Sequence, residues 1–410
     1  MGRGWACCTP GRVQPGGLDN RSLAGIVAPM SSKQNLKPST ACVHAGTHVD
    51  THTAGICTPI FPSTSYAFPN PAGENIYPRY FNVPNQKVIV RKVATLENAE
   101  DGLVFGSGMA AISTVLFALL KPGDQAIFQA ELYGGTFHFV AAELKAFGVE
   151  IVFATSLEQF RAALRPNTRV LYVESPSNPL LRCIDLAAVA QLAREHGVPS
   201  VIDNTFATPI NQNPIELGID AVVHSATKYL NGHSDVNAGV MVSSKQFVRK
   251  VAEYAISHGG TLDAHACYQL ERGLKTMAIR VRVQNDNAGR LARFLQSHPA
   301  VSQVNYPGLP DHPDHAIAAR QMRGFGGMMS FELCDPAKVE SMLKRFRLVT
   351  PALSLGGIET LVCVPSQTSH RTMTSEERHR AGISDGLVRV SVGIEDLDDL
   401  VEDFEQALQS

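Results

Sequence analysis

The stretch Ala221-Val222-Val223-His224-Ser225-Ala226-Thr227-Lys228-Tyr229-Leu230-Asn231-Gly232 decides the fold of this 410-residue chain. Its apolar and β-forming residues predict a buried strand that gives way to a loop near Ser225. Lys228 follows there, with hydroxyl groups on Ser225 and Thr227 beside it. The ordinary interpretation is a lysine that runs along apolar surface and keeps its amine in water. The alternative is an amine held at a buried strand end, where a lowered pKa makes it a nucleophile.

The chain around this stretch alternates short apolar runs with helical patterns, which predicts an α/β fold with a mainly parallel sheet covered by helices on both faces. The predicted strands are Gly102–Phe105, Gln125–Gln129, Ile151–Ala154, Val170–Glu174, Ser200–Asp203, Ala221–Ser225 and Gly239–Val242. Ligands of such sheets bind beyond the carboxyl ends of the strands. We therefore expect the loops after these strands to form one site.

Two groups in these loops match the two ends of pyridoxal phosphate. Gly106-Ser107-Gly108-Met109 lies between a strand and a helix, where backbone N–H groups and the helix dipole favour a phosphate. The hydroxyls of Ser225 and Thr227 suit the same phosphate, and the amine of Lys228 can condense with the aldehyde. The pattern thus favours pyridoxal phosphate as cofactor.

Three further residues each have an ordinary and a functional interpretation. Asp203 could be a turn former, but beside Lys228 its carboxylate would keep a pyridine nitrogen protonated and make the ring an electron sink. Tyr133 could be an ordinary loop aromatic, but the glycines after it let a flat ring approach and stack. Arg389 alternates with apolar residues in a predicted strand, so either a structural ion pair or a substrate carboxylate must satisfy its charge.

The Gly106-Ser107-Gly108 segment also fits the dinucleotide pattern GxGxxA, with Glu131 near the end of the next strand as a ribose ligand. A Rossmann-type NAD enzyme would share the predicted topology and is the alternative. That interpretation gives no role to Lys228, to Asp203 or to the neighbouring hydroxyls.

Composition narrows the functional class. A formal net charge of -2 gives no reason to expect nucleic acid or an anionic membrane as partner. Eight irregularly spaced cysteines are typical of reduced thiols in a cytoplasmic protein, and they do not form a zinc motif. No apolar run reaches the roughly 20 residues of a membrane span.

We divide the chain into four segments. Residues 1–38 are expected to be a disordered extension, since Met30-Ser31-Ser32-Lys33 resembles a natural start; a short transit peptide is the alternative. Residues 39–90 are rich in Pro, Thr and aromatic side chains and are expected to form an arm against a neighbouring subunit. Residues 91–285 form the predicted large cofactor domain, and residues 286–410 a smaller α+β domain.

Taken together, the ordered motifs resemble the Cys/Met-metabolism (trans-sulfuration) family of pyridoxal-phosphate enzymes, from about Ser39 to the C-terminus. The motifs are Ser107–Ala111, Tyr133–Thr136, Glu174–Pro179, Asp203–Thr205, Ser225–Tyr229, Gly324–Met328, Ser354–Gly357 and Ser391–Glu395.

The resemblance implies a fold-type I enzyme with a mainly parallel seven-stranded sheet, assembled as a homotetramer of two dimers. In this family the residue matching Lys228 binds the cofactor covalently and moves substrate protons, the residue matching Asp203 pairs with the ring nitrogen, and the one matching Tyr133 stacks on the ring. The remaining matches are cofactor contacts at Gly108, Met109, Asn178, Thr205, Ser225 and Thr227, contacts from a neighbouring subunit at Tyr77 and Arg79, and substrate contacts at Asn178, Ser354 and Arg389.

The implied activity is γ-elimination or γ-replacement on sulfur-containing amino acids, of the cystathionine γ-synthase or γ-lyase type. An O-acetyl- or O-succinylhomoserine sulfhydrylase and a methionine γ-lyase are the alternatives within the family. Methionine γ-lyases generally carry a cysteine where this chain has Gly135, which weakens that assignment. A catalytically silent homologue kept for assembly would not need the intact set of Lys228, Asp203, Tyr133 and Arg389.

Overall fold

The computed structural model describes residues 36–50, 52–69, 73–368, 370–371, 374–380 and 382–409. The predicted N-terminal extension lies outside the described residues as far as residue 35, and a first helix begins at Pro38. Within the described ranges, no helix is both long and apolar enough to span a membrane.

A seven-stranded sheet forms the larger part of the molecule. Its strands are β1 (Asp101–Phe105), β2 (Gln125–Gln129), β3 (Glu150–Ala154), β4 (Thr168–Glu174), β5 (Ser200–Asp203), β6 (Ala221–Ser225) and β7 (Gly239–Ser243). They lie in the order β1-β7-β6-β5-β4-β2-β3, and only β7 runs antiparallel to its neighbours. The predicted mainly parallel sheet is thus confirmed, with strand ends within two residues of those expected.

Helices cover both faces of this sheet. They are α1 (Pro38–His44), α2 (Pro84–Glu97), α3 (Gly108–Leu119), α4 (Gly134–His138), α5 (Leu157–Ala163), α6 (Leu186–Glu195), α7 (Thr208–Asn211), α8 (Lys245–His258), α9 (Ala264–Leu274) and α10 (Met277–Ser297), with a π-helical segment Phe139–Leu144 and 3-10 turns Pro78–Tyr80 and Pro214–Leu217. Successive strand residues face opposite sides, so Ile202 and Val222 belong to one apolar core and Val201 and Val223 to the other.

A second, five-stranded sheet follows, with its own apolar core. Its elements are β8 (Val301–Asn305), α11 (His315–Gln321), β9 (Met328–Leu333), a 3-10 turn Pro336–Lys338, α12 (Val339–Arg345), β10 (Thr350–Pro351), β11 (Leu361–Cys363), a 3-10 turn Pro365–Gln367, α13 (Ser375–Arg380), β12 (Leu387–Ser391) and α14 (Leu397–Leu408). The strand order is β10-β11-β12-β9-β8, with only the β10–β11 pair parallel. Arg389, on β12, lines a common cavity with Asp203 and Ser225, which end strands of the large sheet.

Candidate active site

A cavity of about 480 Å³ lies where the carboxyl edge of the large sheet meets the second sheet. Eleven of the residues that the sequence nominated contribute to its wall. They are Gly108, Met109, Tyr133, Asn178, Asp203, Thr205, Ser225, Thr227, Lys228, Ser354 and Arg389.

Tyr77 and Arg79 are the two nominated residues that the structure places outside the cavity wall of their own chain. The Cζ atom of Arg79 lies 5.8 Å from the centre of the Tyr77 ring. That ring packs edge-on against Tyr80, with 5.4 Å between the two ring centres. The expectation that this pair serves a neighbouring subunit stays a prediction.

Lys228 lies in the turn that follows β6. Its Nζ donates a hydrogen bond to Ser354 Oγ at 2.7 Å. Burial, reinforced by the positive charge of Arg389, lowers the pKa of Lys228 to about 8. A sizeable fraction of this amine is therefore neutral near physiological pH, as nucleophilic attack and proton abstraction require.

Ser354 connects this amine to the second sheet. Its φ of +87° lies in the left-handed region, which a residue with a side chain rarely occupies, so the backbone here is strained. The Ser354 carbonyl accepts a hydrogen bond from Arg389 Nη2 at 3.0 Å. The amine of Lys228 and the guanidinium of Arg389 are thus fixed on two sides of one residue.

Asp203 ends β5 at the floor of the cavity, with 6 % of its surface exposed. Its Oδ1 accepts hydrogen bonds from the backbone N–H of Thr205 at 3.0 Å and from the Thr205 hydroxyl. Burial raises the pKa of this carboxyl, against the opposing effects of Thr205 and of His224. Since no described donor reaches Oδ2, a cationic ligand atom at this position would keep the carboxylate ionised.

The first turn of α3 forms another part of the wall. Ser107 Oγ accepts a hydrogen bond from the N–H of Ala110 at 3.0 Å and caps the helix. The N–H groups of Gly108 and Met109 belong to this first turn, where a helix offers no internal acceptor. A Cβ atom on Gly108 would lie 2.8 Å from the Cβ of Ser225, so glycine allows the helix to start against the end of β6.

Tyr133 follows β2 and is 43 % exposed. Its backbone N–H donates to Glu174 Oε2 at 2.8 Å. Its ring lies over Gly135, where a Cβ atom would come within 2.5 Å of Tyr133 Cε1. The ring position therefore depends on the missing side chain at residue 135.

Arg389 lies on β12 with 5 % of its surface exposed. Its Nη1 donates to Asn178 Oδ1 at 3.2 Å. No carboxylate of the described residues lies within ion-pair distance of this guanidinium, so the structural ion pair that the sequence left open is absent from this part of the chain. A buried arginine with this environment is suited to bind a ligand carboxylate.

Some wall residues were given no site role in the sequence analysis. Glu174, the last residue of β4, is in register with Asp203 and buried; its position at a predicted strand end was the available signal. Burial and the neighbouring Asp203 raise the pKa of the Glu174 carboxyl. Asn237 and Leu353 also line the cavity. Their loops carry no pattern that distinguishes them.

Glu131, the ribose ligand of the dinucleotide interpretation, is not part of the cavity wall. Its Oε2 accepts a hydrogen bond from Ser177 Oγ at 2.7 Å, which ties together the loops after β2 and β4. The geometry gives Glu131 a structural contact and offers no support for a ribose site.

The donor set fits pyridoxal phosphate. One wall carries the nucleophilic amine of Lys228, and the floor carries the Asp203 carboxylate, which has a free oxygen. The start of α3 adds a set of N–H and hydroxyl groups around Gly108. Lys228 would hold the aldehyde carbon, Asp203 the ring nitrogen and Ser225 the phosphate. Tyr133, over Gly135, would pack against the ring.

Comparisons with known proteins agree with this chemistry. The family described as Cys/Met metabolism PLP-dependent enzyme matches residues 39–409. A cystathionine beta-lyase of Coxiella burnetii is 43% identical over 92% of this chain and 100% of its own length. An L-methionine gamma-lyase of Pseudomonas deceptionensis is 40% identical over 92% of this chain and 98% of its own. The crystal structure of cystathionine gamma-lyase from Lactobacillus plantarum complexed with L-serine superimposes with a TM-score of 0.88, at 38% identity over 92% of this chain and 99% of that one.

Proposed function

The chain belongs to the Cys/Met metabolism family of PLP-dependent enzymes, and from this premise we propose that it catalyses γ-elimination or γ-replacement on sulfur-containing amino acids. The activity would be of the cystathionine γ-lyase or γ-synthase type. The observation that carries the proposal is the chain of contacts from Lys228 through Ser354 to Arg389.

This chain of contacts supports a position of the substrate α-carbon between the amine of Lys228 and the guanidinium of Arg389. Arg389 binds the α-carboxylate and orients the amino acid, so the α-hydrogen faces the amine of Lys228. Pyridoxal phosphate, when bound, supplies the electron sink for charge that develops at the α-carbon. Asp203 would keep a proton on the ring nitrogen, and Tyr133 would pack against the ring face.

Departure of a group from the γ-carbon also requires loss of a proton from the β-carbon. The side chain of Lys228 is long and flexible, and its Nζ has one described hydrogen-bond partner, Ser354. The same amine can therefore take the α-proton and, once it has passed that proton on and is neutral again, take the β-proton. The hydroxyl of Ser354 accepts from the amine and limits where it rests between these transfers.

A methionine γ-lyase is the second candidate, because an apolar side chain lies at the cavity. Leu353 is 67 % exposed there and offers a surface for a methylthio leaving group. Gly135 weighs against this candidate, since a cysteine at that position would displace the Tyr133 ring.

Product analysis of the purified, pyridoxal-phosphate-loaded protein tests the proposal. The substrates are cystathionine, methionine, and O-acetyl- or O-succinylhomoserine with cysteine or sulfide, and the Lys228→Ala variant controls for contaminating activity. Cysteine and 2-oxobutanoate from cystathionine, or a thioether from an acylated homoserine and cysteine, would support the proposal. Pyruvate and homocysteine from cystathionine would replace it with β-elimination, and turnover of methionine alone would favour the second candidate.

We also propose that the protein assembles as a dimer of dimers, in which Tyr77 and Arg79 complete a neighbouring site. Large apolar side chains in the same arm support this, since Ile56 and Phe68 are exposed in the single chain. Mixed oligomers of Arg79→Ala and Lys228→Ala subunits should regain activity, because each mixed dimer contains one intact site. Failure of mixed oligomers to exceed either parent would contradict the shared site.

A further inference from the structure

Glu97, the last residue of α2, is completely buried. A carboxylate here is costly for two reasons, because it has left water and because it lies at the negative end of the helix dipole. Three side chains converge on it. Its Oε1 accepts hydrogen bonds from Asn204 Nδ2 at 2.9 Å and from His224 Nε2 at 2.6 Å, and its Oε2 accepts from Asn213 Nδ2 at 3.4 Å. These donors offset the cost and fix Asn204 and His224 relative to α2.

Asn204 and His224 each precede a residue that supports Asp203. Thr205 follows Asn204, and its hydroxyl donates to Asp203 Oδ1. Ser225 follows His224, and its backbone N–H donates to Thr205 Oγ1 at 2.8 Å. Because a threonine hydroxyl has one hydrogen, this N–H directs the hydroxyl towards the aspartate. The buried carboxylate on α2 therefore holds the two residues next to the groups that orient the carboxylate at the cavity floor.

The supporting groups lie outside the cavity. Val223 is the register partner of Asp203, and successive strand residues face opposite sides of a sheet. The imidazole of His224 is therefore on the other face from the Asp203 carboxylate, and neither His224 nor Glu97 belongs to the cavity wall. Both are completely buried, so a ligand in the cavity can sense them only through residues such as Asp203.

We propose that Glu97 is a positioning residue for the Asp203 carboxylate and acts through its hydrogen bonds with Asn204 and His224. This inference rests on the pairing of Asp203 with the ring nitrogen of pyridoxal phosphate proposed above. Without Glu97 that carboxylate loses its fixed direction, and the contact with the ring nitrogen weakens. The contacts with the aldehyde and the phosphate belong to other residues and should remain.

The test compares pyridoxal phosphate with its 1-deaza analogue, in which a C–H group replaces the ring nitrogen. Dissociation constants of the cofactor-free protein are measured for both ligands, and Asp203→Ala defines their ratio without the nitrogen contact. Wild type should prefer pyridoxal phosphate about 10-fold to 100-fold more than this reference, as for hydrogen bonds to charged groups. Glu97→Ala should bring the preference to within about threefold of the reference. Glu97→Gln, whose amide oxygen can accept from both donors, should keep it within about threefold of wild type.

Lys92→Met is the control for general destabilisation, because Lys92 is also completely buried on α2. Its Nζ donates to the carbonyls of Cys42 and Val43. This variant should lower the urea midpoint and leave the ligand preference unchanged. If Glu97→Ala does not fold, His224→Leu takes its place. The imidazole Nδ1 has no partner among the described residues, so this change removes the single bond to Glu97. The preference should fall at least about threefold.

An unchanged preference in Glu97→Ala, or in His224→Leu where that variant replaces it, would overturn the inference. Equal weakening of both ligands would overturn it as well, because Glu97 would then have a structural role alone. The same applies if Lys92→Met loses the preference, or if Glu97→Gln behaves like the alanine variant. A wild-type preference equal to that of Asp203→Ala would instead refute the ring-nitrogen contact itself, and the inference with it.

Discussion

Two regions of the molecule bury a lysine, and in both of them burial lowers the pKa of the amine to about 8. Lys92, on α2, is completely buried beneath the N-terminal helix. Its Nζ donates to the carbonyls of Cys42 at 3.0 Å and Val43 at 3.4 Å, and lies 3.4 Å from Thr47 Oγ1. Lys228 has a single described partner and faces the cavity.

The comparison of the two lysines shows that a lowered pKa does not by itself indicate a catalytic role. Both amines are neutral to a similar extent, but the hydrogens of Lys92 are distributed among three protein oxygens and no ligand can approach it. The free positions of Lys228 face a space that is large enough for a cofactor. Access and unsatisfied bonding capacity, more than the pKa itself, mark the reactive lysine.

The largest effect that this comparison predicts is for Lys228→Ala. Turnover should fall by at least about 10⁴-fold, since the nucleophile and the proton carrier disappear together. The free energy of unfolding should stay within about 1 kcal/mol, because the amine has few protein contacts. Kinetics, visible absorbance of bound cofactor and urea unfolding measure these quantities. A variant that keeps both turnover and absorbance would remove the distinction between the two lysines.

Arg389→Leu should affect Lys228 and leave Lys92 unchanged, which tests the difference between the two lysines. We expect the KM for amino-acid substrates to rise about 100-fold, as for loss of a charged hydrogen-bonded contact. The pKa of Lys228 should also rise, because the charge of Arg389 helps to lower it, while Lys92 should not respond. Titration of the two amines by NMR after isotopic labelling would show this.

The control is Arg323→Leu, an exposed arginine that donates to the carbonyls of Pro209 and Ile210 away from the cavity. It should leave KM unchanged. A collapse of cofactor affinity in Arg389→Leu, in place of the change in KM, would contradict the assignment of Arg389 to the substrate carboxylate.

A smaller effect is expected for Lys92→Met, which should lower stability and leave turnover nearly unchanged. The carbonyls of Cys42 and Val43 would lose their donor, which should cost about 1–3 kcal/mol of unfolding free energy. Turnover per folded molecule should stay within about twofold. Urea midpoints and kcat measured on the same samples test this. Loss of activity without loss of stability would give Lys92 a role that its contacts do not explain.

The last prediction concerns the pH dependence of stability. The folded pKa of Lys92, about 8, lies below its ordinary value of 10.5. Between these values the unfolded chain holds a proton that the folded chain lacks, so stability contributed by this group rises with pH across that window. The stability difference between wild type and Lys92→Met should therefore grow from pH 8 to pH 10. Parallel stability curves for the two proteins would contradict the lowered pKa.

The strands of the large sheet were predictable because their apolar runs are long and end at turn residues, as at Asp203 and Ser225. The strands β10 and β11 were not predicted, since elements of two and three residues carry no periodicity. Residues 264–297 form two helices, α9 and α10, interrupted at Thr276. The guanidinium of Arg280 donates to the carbonyl of Gly273, in the last turn of α9, at 2.8 Å.

Within the site, the residues that chemistry singles out were predictable, and those defined by mutual contact were not. Lys228 and Asp203 lie at the ends of buried strands, where a charged side chain is costly unless it has a partner or a ligand. Asn237 stands in a loop with no distinguishing pattern, and its place in the wall shows only in its contact with the Thr227 hydroxyl. The strain at Ser354 likewise depends on its contacts with both walls.

The reversed direction of β7 has a consequence for assembly of the site. Because β7 returns along β6, the contact between Thr227 and Asn237 closes a loop of only 10 residues along the chain. The contact between Lys228 and Ser354 spans 126 residues. The entropy lost on closing a loop grows with its length, so the β6–β7 side of the cavity closes with a smaller entropy loss than the contact with the second sheet. In the nascent chain that side can form locally, while the contacts with the start of α3 and with the second sheet join residues far apart in sequence.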